Sequence, residues 1–395
     1  MADVIEVFRQ FLVLGCSSFG GPNAHLGYFR ERFVQREQWL SDPAYAQRVA
    51  LCQFLPGPAS SQVGLGIGLM RAGWPGAVAA WIGFTLPSAI LLVFASAVVT
   101  ANPDWLAGGW VQGLKVAAVA VVAQAVLGMQ RKLAPDQSRA SLMVLTAVLV
   151  LLVPLVWVQL LALGIGAIAG LTLLSPPDDR STGQESLKVP MHRGASVLLL
   201  VALVGMLLAL PWLSAEDRPM AIQQLASFLR AGSLVFGGGH VVLPLLEQSL
   251  VPPGWISLDQ FLAGYGAAQA VPGPLFSFAA FLGFDLRGGL QGLGGALLAL
   301  LALFLPAFLL VGGALPFWSV LGKQSRMQRA IKGINAAVVG VLLAALFRPV
   351  WLAGIKDSAD FSLALVAFLL LVGWKRPAWQ VVVFCGVVGG YALSS

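Results

Sequence analysis

Ser60, Ser61 and Gln62 follow directly on Pro56-Gly57-Pro58, an interruption in an otherwise apolar stretch. Proline in a first helical turn wastes no donor, and the next few backbone N–H groups have no carbonyl one turn back. Short donor side chains beside such a helix start suit a negatively charged guest, which the helix dipole also favours. A second interruption, Pro272-Gly273-Pro274, is followed by Leu275, Phe276 and Ser277, a much drier set. Gln53 and Gln269 each stand three residues before a break. Plain helix kinks are the alternative reading of both.

Other residues join these as candidates. Gly20-Gly21 and Gly237-Gly238-Gly239 permit positive φ or close backbone approach, or serve simply as helix-packing contacts. His25 and His240 follow closely and, with Glu247, are candidates for proton or charge coupling. Lys115 is the sharpest single residue. It is the one charged side chain in Gly108 to Met129, and burying a cation near mid-bilayer costs about 2.5–3.5 kcal/mol on insertion scales. It should therefore face a polar cavity or a partner, unless it snorkels to the interface. Its counterpart in the second half is Asn335, a neutral donor.

Positioning these groups falls to a duplicated chain. Phe19-Gly20-Gly21 returns as Phe236-Gly237-Gly238, and the two Pro-Gly-Pro breaks match. Leu86-Pro87 returns as Leu305-Pro306, and Gly113 to Val121 runs parallel to Gly333 to Val341, the offset staying between 216 and 220 residues. Charged residues make up 10% of the chain and mean hydropathy is +0.84, whereas soluble domains carry about 25% charged residues. Lipid must be the solvent for much of this surface. Long apolar segments lie near 74–99, 108–129, 140–156, 157–174 and 194–213, then 290–313, 331–347, 360–373 and 378–393. The apolar pieces beside each break are too short to cross alone, so they are expected to be broken helices or re-entrant hairpins lining a cavity. With four crossings per half and one helix between, 17 Lys and Arg fall on the cytoplasmic side against four outside (Arg218, Arg287, Arg348 and Lys356). That bias is what the positive-inside rule demands.

The expected fold is thus an all-α polytopic membrane protein. It has two inverted-topology repeats with broken or re-entrant helices at Pro-Gly-Pro, joined by one extra transmembrane helix. The repeats are residues 1–174 and 221–395, and residues 175–220 form a cytoplasmic linker plus the connecting helix. The net charge of +7 is read through loop position, not as a nucleic-acid signature. Cys16, Cys52 and Cys385 lie in apolar runs without CxxC spacing, as packing residues do. HExxH, GxSxG, Walker A and dinucleotide fingerprints are missing, so no catalytic residue, metal or cofactor is expected.

Phe19 to His25 (FGGPNAH), Leu55-Pro56-Gly57-Pro58 with Gln62, Phe236 to Leu246 (FGGGHVVLPLL) and Ala268 to Phe276 (AQAVPGPLF) resemble the chromate ion transporter family over nearly the whole chain. The resemblance implies a multi-pass protein of the bacterial inner membrane that exports chromate and confers resistance to it, with sulfate as the natural mimic. The expected partners are a chromate- or sulfate-like dianion and the lipid bilayer, with a homodimer as an option and no nucleic acid. The expected mechanism is secondary, alternating-access transport. The oxyanion would sit between the two breaks, held by Ser60, Ser61, Gln62 and backbone N–H groups, with Lys115 offsetting its charge. A passive anion channel, a carrier of another oxyanion, and a membrane enzyme or assembly factor stay open as alternatives.

Overall fold

The computed structural model describes residues 1–102, 104, 108–153, 158–174, 192–236, 238–317 and 324–392, and among these the regular structure is helical, with no strand. Residues 175–191 of the expected linker, and Gly237, lie outside the described residues. Among the described residues five helices are long and apolar enough to cross a bilayer: Ala59–Ala101, Gly109–Leu133, Arg193–Leu213, Gly292–Phe317 and Ser325–Gly354. Shorter apolar helices accompany them, among them Gln137–Leu152, Val158–Leu173, Ser358–Gly373 and Ala378–Tyr391. Large apolar side chains such as Phe94, Leu145, Leu198, Leu208 and Leu293 point outward. Exposed apolar surface on this scale needs a non-aqueous neighbour. The protein is a multi-pass membrane protein.

The first half opens with α1 (Ala2–Ser17) and α2 (Gly21–Arg30), which continues into a π-helical turn at Glu31–Arg36. Helix α3 (Asp42–Phe54) begins where Ser41 Oγ accepts from the Ala44 amide, with proline in the first turn. It stops at the Pro56-Gly57-Pro58 sequence, where Gly57 has φ 119°, and α4 (Ala59–Ala101) follows. Helix α4 is itself bent: Ala72 and Gly73 leave helical geometry, Gly73 at φ 63°. Its first arm runs back along α3, since Arg48 on α3 reaches Met70 near the arm's far end. Then come α5 (Gly109–Leu133), α6 (Gln137–Leu152), α7 (Val158–Leu173) and the connecting α8 (Arg193–Leu213).

The second half repeats the order. Helix α9 (Met220–Leu234) precedes the glycine run, and α10 (Val242–Leu250) follows it. Helix α11 (Leu258–Ala270) starts on a capping box between Ser257 and Gln260 and ends before Pro272-Gly273-Pro274, with Gly273 at φ 100°. A short 3-10 turn (Leu275–Ser277) leads into α12 (Phe278–Asp285), and α13 (Gly292–Ala314) plays the part of the long arm of α4. Helices α14 (Ser325–Ala345), α15 (Ser358–Phe368) and α16 (Ala378–Ala392) complete the chain.

The halves are interlocked rather than adjacent. Helix α5 packs on α16 of the other half so closely that a Cβ on Gly113 would lie 2.0 Å from the Cys385 carbonyl. Helix α14 packs on α7 in the same way, a Cβ on Gly333 falling 2.0 Å from the Gly166 carbonyl. Small residues at such crossings let backbones touch, which supplies the van der Waals contact that drives helix association in lipid. Because Gly113 and Gly333 are repeat mates, each half contributes the partner helix that the other needs.

Candidate functional site

The two breaks and the two glycine motifs meet in the middle of the molecule through a reciprocal exchange of backbone hydrogen bonds. The Gly57 amide donates to the Val235 carbonyl at 2.6 Å, and the Gly273 amide donates to the Ser18 carbonyl at 2.9 Å. Ser18 and Val235 each immediately precede a Phe-Gly-Gly. Each break is therefore clamped to the glycine motif of the opposite half. Positive φ at Gly57 and Gly273 turns these amides outward from their own segments. Space forbids a side chain as well, because a Cβ on Gly273 would meet Ser88 Oγ at 2.8 Å and the Phe84 carbonyl at 3.2 Å. Gly20 and Gly21 also have positive φ, 102° and 75°. Gly238 lies near Met129, and Gly239 against Pro22 and Leu275.

Beside the two breaks, and drawn from the first half of the chain, lies a set of buried polar groups with unused capacity. Ser18, His25, Ser60, Ser61, Gln62 and Thr85 are all buried. Ser18 Oγ, Ser61 Oγ, Thr85 Oγ1, His25 Nε2 and Gln62 Oε1 find no hydrogen-bond partner among the described residues. His25 Nδ1 lies 3.4 Å from Ser60 Oγ, and its ring stands edge-on to Phe84, the centroids 5.2 Å apart. Orphaned buried donors each cost about 1–3 kcal/mol, so several in one place mark a site built for something polar. The amides of Ala59, Ser60 and Ser61 add to it, since Pro58 offers them no side-chain cap.

The second break is closed by contrast. Leu275 and Phe276 are buried, and Ser277 Oγ is engaged with Ser88 Oγ at 2.6 Å. His240 Nδ1 is 2.9 Å from the Tyr265 hydroxyl. Gln269 keeps Nε2 buried without a partner, as Asn335 does Oδ1. Pro58, Pro272 and Pro274 are buried, and Pro56 is partly so.

Four expectations need correcting. Lys115 does not stand at the breaks. Its Nζ lies 2.9 Å from Asp259 Oδ1, the lysine side chain 5% exposed and the aspartate 53%. Asp259 opens α11 while Gln269 closes it, an axial separation of about 15 Å at 1.5 Å per residue. The lysine is thus matched by a carboxylate near the rim. Gln62 is less a donor to a guest than a brace, because Nε2 donates to the Pro56 carbonyl at 2.6 Å. Gln53 is exposed, while its counterpart Gln269 is partly buried. The Gly57 and Gly273 amides, finally, are consumed by the clamp. Glu247 is half-buried on α10.

The family model described as chromate transporter matches residues 5–171 and 222–390. The chain belongs to the chromate transporter family. Three relatives agree with that membership. A probable chromate transport protein of Synechococcus elongatus is 27% identical over 395 residues, covering 97% of this chain and 94% of that protein. The chromate transport protein of Cupriavidus metallidurans is 28% identical over 385 residues, with 96% and 90% covered. That of Pseudomonas aeruginosa is 27% identical over 353 residues, with 85% and 79% covered. No solved structure matches the chain. Sequence reasoning missed Ser18 and Thr85 at the site of this transporter, and it singled out no role for Arg48, which is buried. Ser18 could have been found, since it directly precedes the repeated Phe-Gly-Gly.

Proposed function

We propose that this chain exports a chromate-like dianion across the bacterial inner membrane as a secondary transporter, thereby conferring chromate resistance. The observation that carries this reading is the cluster of buried, unpartnered hydroxyl and imidazole groups that the first half brings to the breaks. A tetrahedral oxyanion offers only acceptors. Ser18, Ser60, Ser61 and Thr85 hydroxyls, His25 Nε2–H and the first amides of α4 would surround it with donors, in a dry setting where each such bond is strong. Expelling a dianion from a negative-inside cell gains about 4.6 kcal/mol per 100 mV, so membrane potential suffices to drive export.

The two repeats, residues 1–174 and 221–395, are read as inverted copies joined by the segment 175–220. The mutual Gly57–Val235 and Gly273–Ser18 bonds support this, because a two-fold relation produces every cross-contact twice. Alternating access would follow from rocking one copy against the other about these clamps. Sulfate, of similar size and charge, would compete.

Purified protein in liposomes, with labelled chromate and sulfate at set voltage, tests this. Saturable, voltage-driven chromate flux that sulfate inhibits is the expected result. Flux that never saturates would make the protein a channel, and no oxyanion flux at all would overturn the reading.

A further inference from the structure

The five arginines at the polar end of the α3–α4 hairpin divide into four and one. Arg30 holds Asp42 through Nε at 2.8 Å, Arg36 holds Glu31 at 2.5 Å, Arg71 holds Glu6 at 3.1 Å and Arg32 faces Glu37 at 3.6 Å. All four are at least partly exposed. Arg48 is 1% exposed and has no carboxylate among the described residues. Its Nη1 donates to the Ala44 carbonyl at 3.0 Å. Both Nε, at 2.9 Å, and Nη2 are aimed at one weak acceptor, the Met70 thioether. A buried cation without a counter-charge is expensive, and proteins retain it where an anion comes to it.

Packing does not explain the residue. Its repeat mate is Gly264, and the space that a side chain would need there is filled, since a Cβ would fall 2.4 Å from the Phe281 ring. The helix pair forms in the second half without any cation at this position. The Nε–Nη2 edge, moreover, is the edge with which guanidinium grips two oxygens of a tetrahedral or planar oxyanion. Methionine is unbranched and easily repacked, so the sulfur on that edge is a displaceable placeholder.

We propose that Arg48 contacts the transported dianion, its Nε–Nη2 edge taking two oxyanion oxygens once the Met70 side chain swings aside. This rests on the transport reading above and adds a second station to it. Arg48 lies on the same hairpin as the break, about 10 Å along α3 from Leu55, with its side chain directed back toward Ala44. The station would therefore lie between the neutral donor cluster and the aqueous rim marked by the Arg30–Asp42 pair. A dianion would meet a full positive charge first and neutral hydroxyls afterwards. Tight capture would then not prevent its release into the deeper site.

The test uses full-length protein in liposomes, with labelled chromate flux and chromate-induced thermal stabilisation as readouts. Arg48→Met should fold with thermal stability at or above that of the unsubstituted protein, since it removes a buried charge. It should raise the chromate KM at least about tenfold and abolish the ligand-induced shift. Arg48→Lys, which keeps the charge but loses the fork, should fall between. An unchanged KM and thermal shift in Arg48→Met would overturn the proposal. So would a loss of ligand-free stability that Arg48→Lys repairs together with full transport, for that is the signature of a packing role. If Arg48→Met fails to fold, Met70→Leu decides: freeing the edge should lower the KM, and an unchanged or higher KM counts against the proposal. Absence of flux in the unsubstituted protein would instead sink the transport reading itself.

Discussion

The two Pro-Gly-Pro breaks are alike in backbone and opposite in chemistry. Both end a helix, both hold glycine at positive φ, and both donate that glycine's amide across to the other half. Yet the helix start after the first carries Ser60 and Ser61 with His25 beside them, and the start after the second carries Leu275, Phe276 and a Ser277 already bonded to Ser88. The backbone of the two breaks is alike, and the buried hydroxyls with unused capacity beside them come from one half of the chain. A repeated backbone does not imply repeated side-chain chemistry.

Substitutions at equivalent positions can break that contrast. The largest expected effect is from Ser60→Ala combined with Ser61→Ala. Charge-assisted hydrogen bonds contribute about 1.5–3 kcal/mol each, so losing two should lower chromate kcat/KM in liposomes at least about a hundredfold. Ser277→Ala should leave the same quantity within about threefold, and an equal loss at both breaks would show the site to be shared. Next come the clamps themselves. Gly57→Ala and Gly273→Ala should each destabilise the detergent-solubilised protein by about 1–2 kcal/mol from left-handed backbone alone. Gly57→Ala adds a clash with Gln62 Nε2 at 2.5 Å, and Gly273→Ala one with Ser88 Oγ at 2.8 Å. A melting temperature that moves for only one of them would mean that the exchange is not reciprocal in energy.

A smaller effect is expected at the Lys115–Asp259 pair, which only the first half's α5 supplies with a cation. Asp259→Asn strands a buried ammonium, whereas Lys115→Met leaves a carboxylate that water already reaches. The first should therefore lower thermal stability more than the second. Chromate KM should change little in Lys115→Met, and a large rise would return that lysine to the binding site. The smallest effect concerns α6. Asp136 caps it, and the Arg139 backbone amide, with that residue's guanidinium, holds the carboxyl below its ordinary range. A lowered carboxyl pKa stabilises the fold above the unfolded value of about 3.9 and stops doing so as pH falls through the folded value. Asp136→Ala should cost about 1 kcal/mol at neutral pH. The difference between it and the unsubstituted protein should shrink as pH falls below about 3.9 and on through the lower folded value.

Periodicity and composition made much of this fold readable. Ser41, Ser257 and Asp136 announce helix starts by residue type, and an apolar run from Trp74 to Val99 has few options but a bilayer-length helix. The repeat offset paired Gly113 with Gly333 before any contact was known. The candidate site was half legible. Ser60 and Ser61 stand beside a helix start that proline marks in the sequence, and they are buried and near His25 in the structure. Thr85 carries no local signal, being one hydroxyl in a long apolar helix.

What the sequence determined alone is what local chemistry dictates: which segments are helical, where proline and glycine interrupt them, and that much of the surface is apolar enough to need lipid. Which charge meets which carboxylate was decided only by tertiary structure. Lys115 finds Asp259 in the other half of the chain, and Arg48 finds none among the described residues. Electrostatic energy depends on distance and burial across the fold, and neither is written in the order of the residues.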